Sequence, residues 1–220
     1  MTSLVTLASV LISLLFELFL LAMNPSDALA DSGRTAGDLY MKGGKTIQAG
    51  TGLLVSPLFF RTHRRELDYS MTYVRGGYFF TEPTEKKLLP RGNLEGIMQM
   101  SGSVVTQGFG NYMVEFALLL RYNVVYPGWR IVPYAQMGAG VLYNDLYKDR
   151  TQDLIGQSIE FSPQASVGFR YLISKNWSLD AEGIFQHISC AGLDGEHRNV
   201  GTNAFGGLIG VTRFFGPSAK

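Results

Sequence analysis

The stretch Tyr112-Met113-Val114-Glu115-Phe116-Ala117-Leu118-Leu119-Leu120-Arg121-Tyr122 decides the fold. Side chains on a strand alternate between two faces. Val114, Phe116, Leu118, Leu120 and Tyr122 therefore share one face, and Met113, Glu115, Ala117, Leu119 and Arg121 share the other. Residues 176–189 repeat the pattern: Trp177, Leu179, Ala181, Gly183 and Phe185 alternate with Ser178, Asp180, Glu182, Ile184 and Gln186. A small soluble sheet could show the same stripes. Here, however, charged residues recur opposite large aromatics, and aromatics cluster near the segment ends. Apolar outside, polar inside and aromatic at both rims is the pattern of a transmembrane barrel.

Working outward from these two stretches, period-2 segments fall at roughly 46–56, 66–80, 94–106, 112–126, 130–143, 158–173, 176–189 and 203–215. Eight segments predict an all-β fold, an eight-stranded antiparallel β-barrel whose interior is filled by side chains. Pro133 and Pro163 fall near the starts of two segments, where a barrel tolerates them. Tyr126-Pro127-Gly128-Trp129 and Ser174-Lys175-Asn176 read as tight periplasmic turns, and 57–65, 144–157 and 190–202 as longer extracellular loops. The connection 81–93 breaks this rule, being long but on the periplasmic side. The seventh segment then runs outward and ends at the outer leaflet.

Composition agrees. Hydrophobic residues make up 46% of the 220 residues and charged residues 17%, below the quarter or so usual in soluble domains. That balance excludes disorder and coiled coil. A formal charge of +1 offers no basic field for nucleic acid. The single cysteine, Cys190, excludes an intramolecular disulfide and a multi-cysteine zinc site.

Residues 1–30 read as an address. An apolar run over 4–22, broken only by Glu17, precedes the small-residue triplet Ala28-Leu29-Ala30. The run could also span a bilayer as a helix, and no Lys or Arg precedes it. The Ala-x-Ala site and the polar residues after it favour a signal peptide cleaved after Ala30, which leaves 31–220 as a single barrel domain.

The chemistry-bearing stretch is Phe185-Gln186-His187-Ile188-Ser189. His187 and Ser189 lie two residues apart, so both project from one face, roughly 7 Å apart at Cα. By parity it is the lipid face, with Trp177, Leu179 and Phe185; a pore would place its polar pair inside with Gln186. A histidine and a serine facing lipid are costly unless they pair or act. A base beside a hydroxyl is the minimal arrangement for an activated nucleophile. Polar residues at the aqueous rim would explain the same pair without any chemistry, and the two readings stay open at this point.

The flanking residues add a resemblance. His187-Ile188-Ser189-Cys190-Ala191-Gly192, followed by Asn199-Val200-Gly201-Thr202-Asn203, resembles the C-terminal signature of the PagL-type lipid A 3-O-deacylases. That signature is His-x-Ser-Asn-Ala, then an Asn-x-Gly-x-acid/Asn element opening the last strand. Arg91-Gly92-Asn93-Leu94-Glu95, Leu120-Arg121-Tyr122-Asn123, Pro133-Tyr134, Gly138-Ala139-Gly140-Val141-Leu142-Tyr143, Phe161-Ser162-Pro163-Gln164 and Gly168-Phe169-Arg170-Tyr171 also fit, so the resemblance covers roughly residues 90–215.

The resemblance implies a barrel in the bacterial outer membrane with a lipid-facing serine-hydrolase site. Its activity would be that of a carboxylic-ester hydrolase removing the 3-O-linked hydroxyacyl chain of lipid A, the lipid anchor of lipopolysaccharide in the outer leaflet. No metal and no cofactor are expected. By the same resemblance Ser189 is the nucleophile, His187 the general base, Asn199 an oxyanion donor and Asn203 the residue orienting His187. Two positions depart from the family pattern. Asn203 stands where some members carry Glu; it can accept from the imidazole but cannot stabilise its charge. Cys190 stands where Asn is usual, and its parity points it inward. A homodimer is compatible with the sequence.

The remaining candidates read as structure. Asp180, Glu182, Glu115, Arg121 and Arg170 face inward as a polar plug. The acidic and basic residues of 144–157 read as an exposed loop. Arg61, His63, Arg64 and Arg65 form either a solvated rim or a contact for lipid A phosphates. His63 and His197 have no partner at metal-ligand spacing, and Glu196 does not match the spacing of an orienting acid. The rival readings are a catalytically degenerate relative and a purely structural or adhesive small outer-membrane barrel.

Overall fold

The period-2 segments become strands of one closed sheet. The computed structural model describes residues 36–56, 66–86, 89–192 and 198–216. Residues 1–30, read from the sequence as a signal peptide, the 57–65 basic cluster, Glu196 and His197 lie outside the described residues. A short helix α1 (Ala36–Leu39) precedes β1 (Lys45–Val55), β2 (Asp68–Phe79), β3 (Thr84–Lys86), β4 (Leu89–Gln107), β5 (Tyr112–Val124), β6 (Ile131–Asn144), β7 (Ile159–Ser174), β8 (Trp177–Ile188) and β9 (Thr202–Phe215).

Each long strand pairs antiparallel with the next, and pairing of β1 with β9 and of β2 with β4 closes the ring. Closure leaves no free edge in the membrane, the condition for strands to cross it. The long 81–93 connection is explained by β3, which pairs only with the start of β4 and makes a hairpin projecting from the periplasmic end. β4 accordingly begins at Leu89, earlier than its alternation suggests.

Parity sorts the side chains as expected along the strands. Leu53, Met98, Leu118, Met137, Val167 and Ile209 face outward, each more than half exposed, and form an apolar belt. Aromatic rings border it: Tyr126 stacks near Trp129 with centroids 4.8 Å apart at the periplasmic end, and Tyr112 lies near Tyr143 at the other. Trp177 departs from the pattern. It is buried at the start of β8, with the Arg213 guanidinium 5.5 Å from its ring centre.

The interior has three layers. In the middle lie the inward charges: Arg75 grips Glu182 through Nη1–Oε2 at 2.6 Å and Nη2–Oε1 at 3.1 Å, and Arg170 and Arg121 both reach Glu95, at 3.1 and 3.6 Å. Tyr134 donates to Glu182 at 2.8 Å, while Glu115 accepts from Ser101 and Gln164. Buried ions need such partners, because an unpaired one costs several kcal/mol, ~3–5 when a partner is removed. Towards the periplasm, Leu39 and Tyr40 pack with Phe79, Val125, Val132, Leu172 and Phe214, so the segment after α1 plugs that mouth. At the extracellular mouth, Tyr69, Phe109, Met113 and Ile188 pack with Leu146, Leu154 and Ile155.

Lys148, Arg150 and Asp153 are exposed as the charge pattern of 144–157 predicts, but Asp145 is buried and the loop between them is not exposed throughout. Leu146, Leu154 and Ile155 turn inward and cap the barrel. Gln152 fixes the fold of this loop: Nε2 donates to the carbonyls of Leu146, Asp149 and Ile155, and Oε1 accepts from the N–H groups of Leu154 and Ile155. The apolar cap is spaced irregularly among charged residues, so no periodicity reveals it.

Candidate active site

At the extracellular end of the wall, β8 and β9 place His187 directly opposite Asn203. Both side chains are half-buried and lie on the outward-facing parity, with Phe185 and Phe205 one step below, ring centroids 4.8 Å apart. His187 Nδ1 lies 2.7 Å from Asn203 Oδ1. An amide oxygen only accepts, so Nδ1 carries a proton, and in the neutral ring the lone pair is then on Nε2. An imidazole held in this tautomer is set to take a proton through Nε2.

Ser189 follows β8 by one residue and shares its outward parity with His187. Its main chain is held by β7: Ser189 N–H donates to the Phe161 carbonyl at 3.0 Å, and Phe161 N–H donates back at 2.8 Å. The chain then turns sharply. Ala191 has φ +53° and Gly192 φ +76°. A left-handed alanine costs on the order of 1–2 kcal/mol, so the surroundings impose this turn. Cys190 is buried, inward as its parity predicts.

Gly201 brings the two halves together. Its φ is +77°, and a Cβ there would lie 3.1 Å from Ser189 Cβ and 3.2 Å from His187 Cε1. The serine and the imidazole thus flank one point, and only a glycine leaves it open.

Asn199 stands two residues before Gly201, in a segment tied to the capping loop. Val200 N–H donates to Asp153 O at 3.1 Å, Gly201 N–H to Leu154 O at 2.9 Å, and Arg198 Nη2 to Asp149 O at 3.3 Å. The Asn199 amide donates from Nδ2 to Glu160 Oε1 at 2.6 Å. Glu160 is fully buried on the inward parity of β7, and no sequence pattern signals its contact with Asn199. Of the four residues singled out, His187, Ser189 and Asn203 share the outer wall. Asn199 spends one amide N–H on the inward-facing Glu160, and no second acceptor for that amide is found among the described residues.

The sequence profile of the family described as lipid A 3-O-deacylase (PagL) matches residues 72–212. The chain belongs to this deacylase family. Its match spans β2 to β9 and includes His187, Ser189, Asn199 and Asn203. No curated protein matches the sequence. Among solved structures, the outer membrane enzyme PagL is 17% identical over 75% of this chain and 97% of its own, with a TM-score of 0.49. Neisserial surface protein A is 11% identical over 80% and 97%, TM-score 0.51. The N-terminal β-barrel domain of Pseudomonas aeruginosa OprF is 15% identical over 79% and 98%, TM-score 0.48. At 11% identity the likeness to Neisserial surface protein A is one of fold. With its apolar belt and closed sheet, this member of the deacylase family is an outer-membrane β-barrel.

Proposed function

We propose that the chain hydrolyses the 3-O-linked hydroxyacyl ester of lipid A by a serine-hydrolase mechanism, on the outer wall of the barrel. The observation that carries this reading is the 2.7 Å contact of His187 Nδ1 with Asn203 Oδ1, at the lipid-facing rim where Ser189 also sits. A lone polar residue at the rim needs no such orienting partner.

In the first half-reaction Ser189 Oγ attacks the ester carbonyl carbon, and its proton passes to His187 Nε2. The carbonyl oxygen becomes an oxyanion, for which the free N–H of Asn199 is the candidate donor. Collapse breaks the bond to the sugar oxygen, which leaves with the proton from His187. In the second half-reaction water attacks the acyl-serine, again losing its proton to His187, and the 3-hydroxy fatty acid departs as Ser189 Oγ regains a proton. Asn203 acts as the neutral asparagine of papain-like triads does: it holds the tautomer and orientation without compensating the imidazolium charge. The substrate never leaves the leaflet, because the site opens onto the lipid. Lipid A is therefore the partner of this surface.

A fluorophosphonate probe tests the nucleophile without requiring the natural substrate. Covalent labelling that maps to the Ser189 peptide, and that His187→Ala slows by about 100-fold or more, is the expected result. Absence of labelling in the correctly folded wild type would favour the degenerate barrel.

A further inference from the structure

One strand end holds both halves of the site. Phe161 of β7 exchanges two main-chain hydrogen bonds with Ser189, at 2.8 and 3.0 Å. The preceding residue, Glu160, turns its carboxylate the other way, into the barrel, and takes the Asn199 amide at 2.6 Å. The same Oε1 accepts the Gln157 N–H at 3.3 Å, so one oxygen joins the capping loop to the 198–201 segment. That segment carries Gly201, whose backbone packs against Ser189 and His187.

We infer that Glu160 is a positioning residue for the deacylation: its buried carboxylate sets the direction of the Asn199 amide and the seat of Gly201 against the Ser189–His187 pair. The inference rests on the serine-hydrolase reading and names a residue that the reading itself does not need. Three features separate this contact from generic packing. Glu160 is fully buried, its partner is a polar side chain in the candidate site, and the capping loop is already fixed by Gln152 without it. The carboxylate touches no reacting atom. It acts by leaving Asn199 a single free N–H with a fixed direction.

The experiment compares Glu160→Gln, Glu160→Ala, Asn199→Ala and the Asn199→Ala/Glu160→Ala double variant. Each is folded in detergent and checked for the heat-modifiable gel mobility of a closed barrel. Two rates are measured: labelling of Ser189 by the fluorophosphonate, and release of hydroxy fatty acid from lipid A at saturating and limiting substrate. Removing an outer partner of a site typically costs about 10–100-fold. Glu160→Ala is expected to lower the deacylation kcat in that range with KM little changed, and Glu160→Gln, which keeps an acceptor, to recover most of it. The double variant should be no slower than Asn199→Ala alone, because Glu160 acts through Asn199. Wild-type rates in folded Glu160→Ala, or additive losses in the double variant, would overturn the inference while leaving the serine mechanism intact. If the wild type itself fails to label at Ser189, the serine reading falls and this inference falls with it. Should Glu160→Ala fail to fold, Glu160→Gln beside Asn199→Ala still decides: a Gln variant as slow as Asn199→Ala, unrescued by its acceptor, contradicts the inferred role.

Discussion

Asn203 is the residue on which the proposed activity turns. It stands where some relatives carry Glu, yet it meets His187 Nδ1 at 2.7 Å. Replacing it with alanine leaves the imidazole free to rotate and to take the wrong tautomer. Asn203→Ala is therefore expected to slow release of hydroxy fatty acid by about 10²-fold or more, and Asn203→Glu to retain or raise it; hydrolysis kinetics on micellar lipid A distinguish the two. Gly201 is the second sensitive position. Gly201→Ala would force a side chain into a left-handed conformation and place its Cβ 3.0 Å from the Ile188 carbonyl and 3.1 Å from Ser189 Cβ. The expected outcome is at least about a 10-fold loss of activity, from strain of roughly 1–2 kcal/mol, in a barrel that still shows native gel mobility.

At the scale of elements, the capping loop 145–158 organises the extracellular end. Asp145 anchors its start, accepting from Asn111 N–H and Nδ2, both at 2.8 Å, and from Tyr112 N–H at 3.1 Å. Burial by itself raises the Asp145 carboxyl, but the hydrogen bonds from Asn111 and Tyr112, with nearby Lys148, outweigh it and hold the group below its ordinary value of 3.8. A carboxyl depressed in the folded state contributes stability above its unfolded pKa and loses it as pH falls through the folded one. The difference in urea midpoint between wild type and Asp145→Asn should thus be full at about pH 7 and shrink below about pH 4. A difference that stays constant with pH would contradict this role.

The elements also show what the sequence could reveal. Alternation exposes the eight long strands, the outward parity of His187 and Ser189, and the inward charges Glu115, Arg121, Arg170, Asp180 and Glu182, because period 2 is a local property. It misses β3, three residues among Glu82, Pro83 and Glu85 with no stripe to follow. It misses the inward turn of Leu146, Leu154 and Ile155, whose spacing fits neither strand nor helix. The Glu160–Asn199 contact is equally silent: parity puts Glu160 inside, but its partner is 39 residues away and arrives only when the barrel closes. The plug formed by Leu39 and Tyr40 has the same cause.

At the scale of the whole molecule, stability rests on a sheet that is apolar outside and ionic inside. Glu182 is the hub of the interior, accepting from Arg75, Tyr134 and Gln136. Glu182→Ala strands the Arg75 guanidinium, so a loss of about 3–5 kcal/mol is expected in urea unfolding from lipid vesicles. On the opposite face, Val167→Arg places a cation in the apolar belt and should cost about 2–4 kcal/mol if it lies near the bilayer centre. Neither variant touches the candidate site, so the fraction that folds should keep its specific activity. The wall that holds the barrel in the membrane also presents the site to its lipid, which joins the fold to the proposed chemistry.

The most direct measurement is mass spectrometry of lipid A from Gram-negative cells producing this protein, beside cells producing Ser189→Ala at equal barrel levels. The predicted result is loss of one 3-hydroxyacyl chain from lipid A with the wild type and intact lipid A with the variant. Unchanged lipid A in both, or the same loss in both, would contradict a Ser189-dependent lipid A deacylase.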